Sequence, residues 1–228
     1  MIAIISDIHS NLEALNSVLD DAREHGVDSY VCVGDIVGYN ANPRECLEIV
    51  RSLEAQTVKG NHDFYCSSNY ELLGFHPMAA HVVEWTREQL TQEERKYLAD
   101  LPYVRRVDSF SVVHSTLDMP EKWGYVFDRY EAESSLAYQK TAVCFFGHTH
   151  TPLVFEQRGM NINGSAYETI DVRLGGRYFI NVGSVGQPRD RDPRAGYVIY
   201  DREKSKIKLR RVDYDREATK KKIVDAGL

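Results

Sequence analysis

Cysteine is scarce in this chain. Cys32, Cys46, Cys66 and Cys144 are the only four, and no two stand in a CxxC spacing. That argues against a zinc–thiolate site, whose sulfur ligands come in close pairs. Cys32 and Cys144 fall inside apolar runs, so reduced, buried thiols are expected, as in a cytoplasmic protein. Long apolar runs are missing too: none approaches the roughly 20 residues that cross a bilayer. The opening MIAIISDIHS has no basic stretch ahead of its short apolar run, so no secretion signal is expected. Positive charge is in deficit, with 28 Lys and Arg against 34 Asp and Glu and a net charge of −6. Binding to a nucleic-acid polymer would favour a basic surface. The one basic cluster, Lys220–Lys222, reads as the solvated face of a last helix. Neither a membrane nor a nucleic-acid polymer is an expected partner; a cytoplasmic location is.

What is present is ordinary globular composition, 43% hydrophobic and 27% charged over 228 residues. That length suits one domain, residues 1–228, with a modest insertion. The first sixty residues alternate. Apolar runs at 2–6, 30–35 and 56–60 read as strands, and helices are expected over 11–25 and 43–53, the second with Asn42 as N-cap and Pro43 at its first position. This order predicts parallel strands buried on both faces. From about 64 to 100 the pattern is amphipathic and helical, with a helix pair over 76–100, and is expected to be an insertion. Strands are then expected at 103–107, 110–115 and 142–146, with a helix at 128–139 before the last of these. The remainder reads as strands at 153–157, 166–174, 178–182, 195–200 and 206–212, followed by a helix from about Tyr214. The fold class expected is α/β, a sandwich with the helical insertion over one edge.

Polar residues gather at strand ends. The runs close on Asp7-x-His9, Gly34-Asp35, Gly60-Asn61-His62-Asp63, His114 and Gly147-His148-Thr149-His150, which holds five of the eight histidines. In open α/β sheets ligands bind beyond the carboxyl ends of the strands. Asp7 with His9, and His148 with His150, lie two apart and would point the same way in extended backbone. Carboxylate, imidazole and carboxamide donors without sulfur suit Mn, Fe, Zn, Co or Ni. Seven candidate ligands (Asp7, His9, Asp35, Asn61, His114, His148, His150) exceed the three or four of a single zinc site. Two metals sharing a carboxylate would use them all. Two divalent cations against two carboxylates leave positive charge, which attracts phosphate.

The segments SDIHSN, VGDIVGY, KGNHD, VVHS and FGHTH resemble, in order and spacing, the five motifs of the calcineurin-like metallophosphoesterases. GDIVGYNANP and NVGSVGQPRD are similar to the bacterial branch of diadenosine tetraphosphatase-related and YfcE-type phosphodiesterases. The resemblance implies a four-layer α/β/β/α sandwich holding two divalent or trivalent metal ions. It implies that Asp7, His9 and His150 hold the first and Asn61, His114 and His148 the second, with Asp35 bridging. The nucleophile implied is a metal-bridging hydroxide. His62 would stabilise the transition state and protonate the leaving oxygen, and Asp63 would orient its ring. Two residues depart from the pattern: Ser10 and Ser115 stand where the family often has glycine. The chain also ends at DAGL, where relatives often continue, so no terminal helical extension is expected.

Among other polar residues, Arg189 in GQPRD is a candidate phosphate contact, against a surface ion pair with Asp190 or Asp192. Asn40 and His76 are candidate pocket residues, and Trp85 and Trp123 read as packing. The function expected is dimetal-dependent hydrolysis of a small phosphorylated substrate, with a phosphodiesterase as the leading reading. Dinucleoside polyphosphate hydrolysis, phosphomonoester hydrolysis and a non-catalytic interaction scaffold on the same fold are the alternatives. Homo-oligomerisation stays open.

Overall fold

Two six-stranded sheets face each other, and helices cover both outer surfaces. The structure, a computed structural model, describes residues 1–73 and 75–228. Gly74, inside the expected insertion, lies outside the described residues.

In chain order the elements are β1 (Ile2–Ile5), α1 (Leu12–Glu24), β2 (Ser29–Cys32), α2 (Pro43–Ser52), β3 (Gln56–Thr57), α3 (Asn61–Ser67), α4 (Pro77–Gln89) and α5 (Gln92–Asp100). There follow β4 (Val104–Val107), β5 (Phe110–Val113), α6 (Arg129–Tyr138), β6 (Val143–Phe146), β7 (Val154–Arg158) and β8 (Asn161–Ser165). Last come β9 (Thr169–Asp171), β10 (Arg177–Asn181), β11 (Ala195–Asp201), β12 (Lys206–Val212) and α7 (Arg216–Asp225). The first sheet runs β3-β2-β1-β11-β12-β9 and the second β4-β5-β6-β10-β7-β8. The expected parallel unit is there: β1 pairs with β2, and β2 with β3, all parallel.

Three apolar clusters define the layers. Ile2, Ile4, Val31 and Val198 from the first sheet meet Phe110, Phe145, Tyr178 and Ile180 from the second. The alternate residues Ala3, Ile5, Cys32 and Tyr197 face outward onto α1, α2 and α5. On the far side Cys144, Phe146 and Phe179 pack on Ala132 and Leu136 of α6. Strands buried on both faces need no polar alternation, which is why β1 and β6 read as unbroken apolar runs. All four thiols are buried and unpaired, as expected, and burial raises them, Cys144 to about 12. No helix among the described residues is long and apolar enough to cross a membrane.

The helical segment is tied to the first sheet's helices. Arg44 of α2 donates to the buried Glu94 of α5 (3.0 Å), which also accepts from the backbone N–H and hydroxyl of its N-cap Thr91. Two expectations fail at the second sheet's edge and at the third strand. The run 166–174 holds only the short β9, and a hairpin of β7 and β8 precedes it, turning at Gly159 and Met160. β8 is an exposed edge strand (NINGS), so it lacks the apolar signature of a buried one. β3 stops at Thr57 rather than at 60, and α3 begins at Asn61, three residues ahead of the expected helical run.

An ion pair pins α1 to the first sheet. Arg210 donates to both oxygens of Asp21 (3.0 and 2.6 Å), and Tyr197 adds a third bond (2.6 Å). Burial works to raise Asp21, but Arg210 and Tyr197 outweigh it, and the carboxyl lies below its usual range. A carboxyl depressed on folding contributes stability above its unfolded pKa, near 3.9, and loses it as pH falls through the folded value. Asp21→Asn is expected to cost about 1–3 kcal/mol at neutral pH. In thermal melts the gap to the parent chain should hold from pH 5 to 8 and close below about pH 4. A gap that widened in acid would contradict this account.

Candidate metal centre

The seven candidate ligands meet at one rim, beyond the carboxyl ends of β1, β2, β3, β5 and β6. The reason they meet differs from the spacing argument. Asp7 (φ 51°), His9 (48°), Asp35 (53°), His148 (66°) and His150 (58°) are all left-handed, not extended. Each such residue costs roughly 1–3 kcal/mol. Cross-bracing holds them: Asp7 N–H donates to Gly34 O, His9 N–H to Asp35 O, and Gly147 N–H to His114 O, all at 3.0 Å. Asn61 opens α3, one residue after Gly60. A Cβ at Gly60 would collide with the Asp35 carboxylate and backbone, so only glycine lets these two loops touch.

Ligand atoms form three overlapping groups. Asp7, His9 and His150 make one; Asp35, His114 and His148 make another, with Asn61 Oδ1 3.2 Å from His114 Nε2; His9, Asp35 and His62 make a third between them. Asp35 joins them, 3.3 Å from His114 Nε2 and 3.6 Å from His9 Nε2. Each imidazole spends one nitrogen on a backbone carbonyl. His9 Nδ1 bonds Val37 O (3.2 Å), His114 Nδ1 bonds Val33 O (2.8 Å), and His150 Nδ1 bonds Gln187 O (2.6 Å). His148 Nε2 bonds Trp123 O (2.9 Å). The carbonyls accept, so these nitrogens carry the protons; the opposite nitrogens of His9, His148 and His150 present lone pairs, while that of His114 holds a second proton against Asp35. His9 Nε2 and His150 Nε2 then stand 3.1 Å apart, lone pair to lone pair, beside Asp7. Acceptors packed together need a proton or a cation between them, and oxygen and nitrogen donors suit a divalent transition metal. The residues fit metal ions.

Electrostatics sharpen this. Burial pushes His9 well below its usual value, so it stays neutral. Burial also lowers His148, and the neighbouring His114 adds to it, to about 3. Burial opposes His114 as well, but the Asp35 carboxylate prevails and lifts it to about 9. A cation entering between Asp35 and His114 must therefore displace a proton, so binding weakens as pH falls.

The other expected site residues scatter. His62 lines the cavity over the ligands, edge-on to the His9 ring at 4.8 Å, and its buried Nδ1 has no partner. Gly38 lies against that ring, where a Cβ would clash with Nδ1. Asp63 does not orient His62. Its carboxylate accepts from the backbone N–H groups of Asp35 (2.8 Å), Ile36 (2.9 Å) and Gly60 (3.0 Å), so it clamps the loop that carries Asp35. Burial, and then the Asp35 charge, push Asp63 up to about 7 against those amides. Asn40 turns away from the cavity and donates to His9 O (2.7 Å). His76 caps α4 through Nδ1 and does not line the cavity. Arg189 does line it, near the Tyr39 ring. Its expected ion pairs go elsewhere: Asp190 pairs with Arg211, and Asp192 with Arg194. Ser10 takes φ 58°, the left-handed region that glycine fills more cheaply, and its buried hydroxyl has no partner; Ser115 is not left-handed. Trp123, read as packing, lines the cavity, as do Tyr39, Lys122 and Tyr125, which composition and spacing leave unmarked.

Residues 1–205 match the sequence model of the calcineurin-like phosphoesterase superfamily domain. The chain belongs to that superfamily. It is 40% identical over 230 residues to an uncharacterised protein of Methanocaldococcus jannaschii, covering 98% of this chain and 92% of the other. It superposes on a metallophosphoesterase crystal structure from Sphaerobacter thermophilus with a TM-score of 0.86 at 38% identity, covering 100% of this chain and 94% of that one. A hypothetical protein of Pyrococcus horikoshii OT3 shares the fold, with a TM-score of 0.82 at 21% identity, covering 100% and 94%. The two-sheet sandwich flanked by helices is thus the metallophosphoesterase fold, and the superfamily's phosphoester hydrolysis frames the chemistry of this rim.

Proposed function

We propose that the protein is a two-metal phosphodiesterase. The observation that carries the reading is the pair of oxygen- and nitrogen-ligand clusters that meet at Asp35 beneath a cavity that His62 lines. Asp7, His9 and His150 would hold one ion and Asn61, His114 and His148 the other, with Asp35 placed to contribute to both. When bound, such ions supply Lewis acidity to phosphoryl oxygens and lower the pKa of water toward neutrality.

The chain's own residues do the rest. Trp123, Val33, Val37 and Gln187 carbonyls fix the imidazole tautomers, so each histidine presents a lone pair, His114 once its second proton is displaced. Asp63 holds the Asp35 loop in place through the backbone amides of Asp35, Ile36 and Val37, and accepts from Gly60 N–H in its own loop. His62 lines the cavity and delivers a proton to the departing oxygen. An alkoxide leaving from a diester needs that proton more than a good leaving group does. Arg189 stands at the cavity wall, where its guanidinium meets a phosphoryl oxygen.

The test is to strip metals with chelator and add back Mn²⁺, Ni²⁺, Co²⁺ or Zn²⁺ singly. Rates are then measured on bis-p-nitrophenyl phosphate, p-nitrophenyl phosphate and diadenosine tetraphosphate. The stripped protein should be inactive, and add-back should restore cleavage with the diester preferred. Preference for the monoester or the dinucleotide would move the assignment to those classes. Two equivalents of bound metal with no hydrolysis of any substrate would favour the interaction scaffold and sink the enzyme reading.

A further inference from the structure

One imidazole at the rim is held differently from the rest. His9, His114, His148 and His150 each spend a nitrogen on a backbone carbonyl. The buried Nδ1 of His62 has no such partner, and Asp63 is turned onto backbone amides. The second side-chain torsion of a histidine is soft, with broad wells. What packs against the His62 ring therefore sets where it points.

Three residues do that packing. The Tyr39 ring lies 4.5 Å from it, centroid to centroid, with the planes at 46°, and the His9 ring stands edge-on at 4.8 Å. Gly38 closes the Nδ1 side, where a Cβ would fall 2.5 Å from that nitrogen. Gly38 and Tyr39 are both left-handed, at φ 92° and 62°. Glycine enters that region freely, whereas a bulky tyrosine is an outlier there. Asn40 holds the turn: its backbone N–H donates to Gly38 O (2.9 Å) and His9 O (3.1 Å), and its side chain to His9 O (2.7 Å). Loop closure alone would be served by glycine or asparagine at position 39, which adopt this backbone at less cost. A strained turn that delivers an aromatic ring to the proposed acid points to function.

We infer that Tyr39 is a positioning residue, whose ring aims His62 so that its proton reaches the leaving oxygen as the P–O bond breaks. This deepens the phosphodiesterase reading and rests on the acid role given there to His62. Tyr39 acts through His62, and the ring rather than the hydroxyl carries the effect.

The test is a double-mutant cycle on the metal-loaded full chain, read on methyl phenyl phosphate and methyl p-nitrophenyl phosphate. Tyr39→Asn removes the ring and suits the turn; Tyr39→Leu removes it without adding a polar group. Both should lower kcat on the phenyl ester by about 10–10²-fold, the scale of an acid out of place by an ångström. The nitrophenyl ester should lose much less, with KM little moved and two equivalents of metal retained. Tyr39→Phe keeps the ring and should recover most of the rate. Neither ring-deleting variant should add to the loss in His62→Ala, since a residue that acts through another has no effect once the other is gone. In the metal-stripped chain, Tyr39→Leu should shift the His62 ring-proton resonances, and Tyr39→Phe should leave them near the parent's. Losses that multiply in the double variants, fall equally on both esters or persist in Tyr39→Phe would overturn the inference, as would His62 resonances unmoved by Tyr39→Leu. A His62→Ala chain that shows no difference between the two esters overturns the acid role beneath it instead.

Discussion

Asp35→Asn is expected to lower turnover by at least about 10³-fold and to cost at least one equivalent of bound metal. Asp35 lies closer to the second cluster than Asp7 does: one Asp35 oxygen stands 3.3 Å from His114 and 3.6 Å from His9, against 4.0 Å from Asp7 to His114, and its other oxygen accepts the His62 backbone N–H at 2.8 Å. Asparagine keeps the shape but removes the charge and turns one oxygen into a donor facing other donors' lone pairs. His114 would also lose the partner that lifts it to about 9, so its titration should move down. Metal content by atomic emission, turnover on a diester, and the His114 resonances in the stripped protein check the three parts. An Asp35→Asn protein that kept two equivalents and full turnover would show that the clusters do not act as one centre.

His62→Ala is expected to lower kcat by about 10²–10⁴ while both equivalents of metal remain. The loss should depend on the leaving group. An alkyl diester, whose alkoxide departs badly, should lose most; an aryl ester with a nitrophenolate group should lose least. This gradient separates proton delivery from simple damage, because a distorted centre would slow every substrate alike. His62 is buried against Gly38 and Tyr39, so truncation also leaves a void. His62→Asn fills much of that void and should show the same gradient. A uniform loss across leaving groups in both variants would remove His62 from the acid role.

The fold was legible where burial is complete. β1 and β6 are wholly apolar and β5 is apolar but for Ser111, because both faces are covered, and their ends are marked by the polar residues that follow. The candidate ligands were legible for the same reason: histidine, aspartate and asparagine after a buried strand have few structural excuses. The backbone that aims them was not. A two-residue spacing suggested extended chain, whereas Asp7, His9, His148 and His150 are left-handed and braced by neighbouring loops. Such conformations come from tertiary hydrogen bonds, which no local pattern records. Asp63 misled in the same way, since its partners Asp35 and Ile36 lie 28 and 27 residues away. The cavity wall was least legible of all. Tyr39 comes from the loop after β2 and Trp123 and Tyr125 from the segment between β5 and α6, and a ring's direction there depends on what it packs against. β8 escaped because an exposed edge strand has no apolar face to show.

Each of the two proposed ion sites draws on both sheets. Asp7 and His9 follow the first sheet and His150 the second; Asp35 follows the first, His114 and His148 the second. A cation in either position is thus also a cross-link between the two halves of the sandwich. It binds the docked sheets and has no comparable grip on a chain in which they are apart. By mass action its free concentration adds RT ln(1 + [M]/Kd) to the resistance against unfolding, about 2.7 kcal/mol at a hundredfold excess over Kd. On the two-metal reading, the metal supply of the surrounding medium bears on the stability of the fold as well as on turnover.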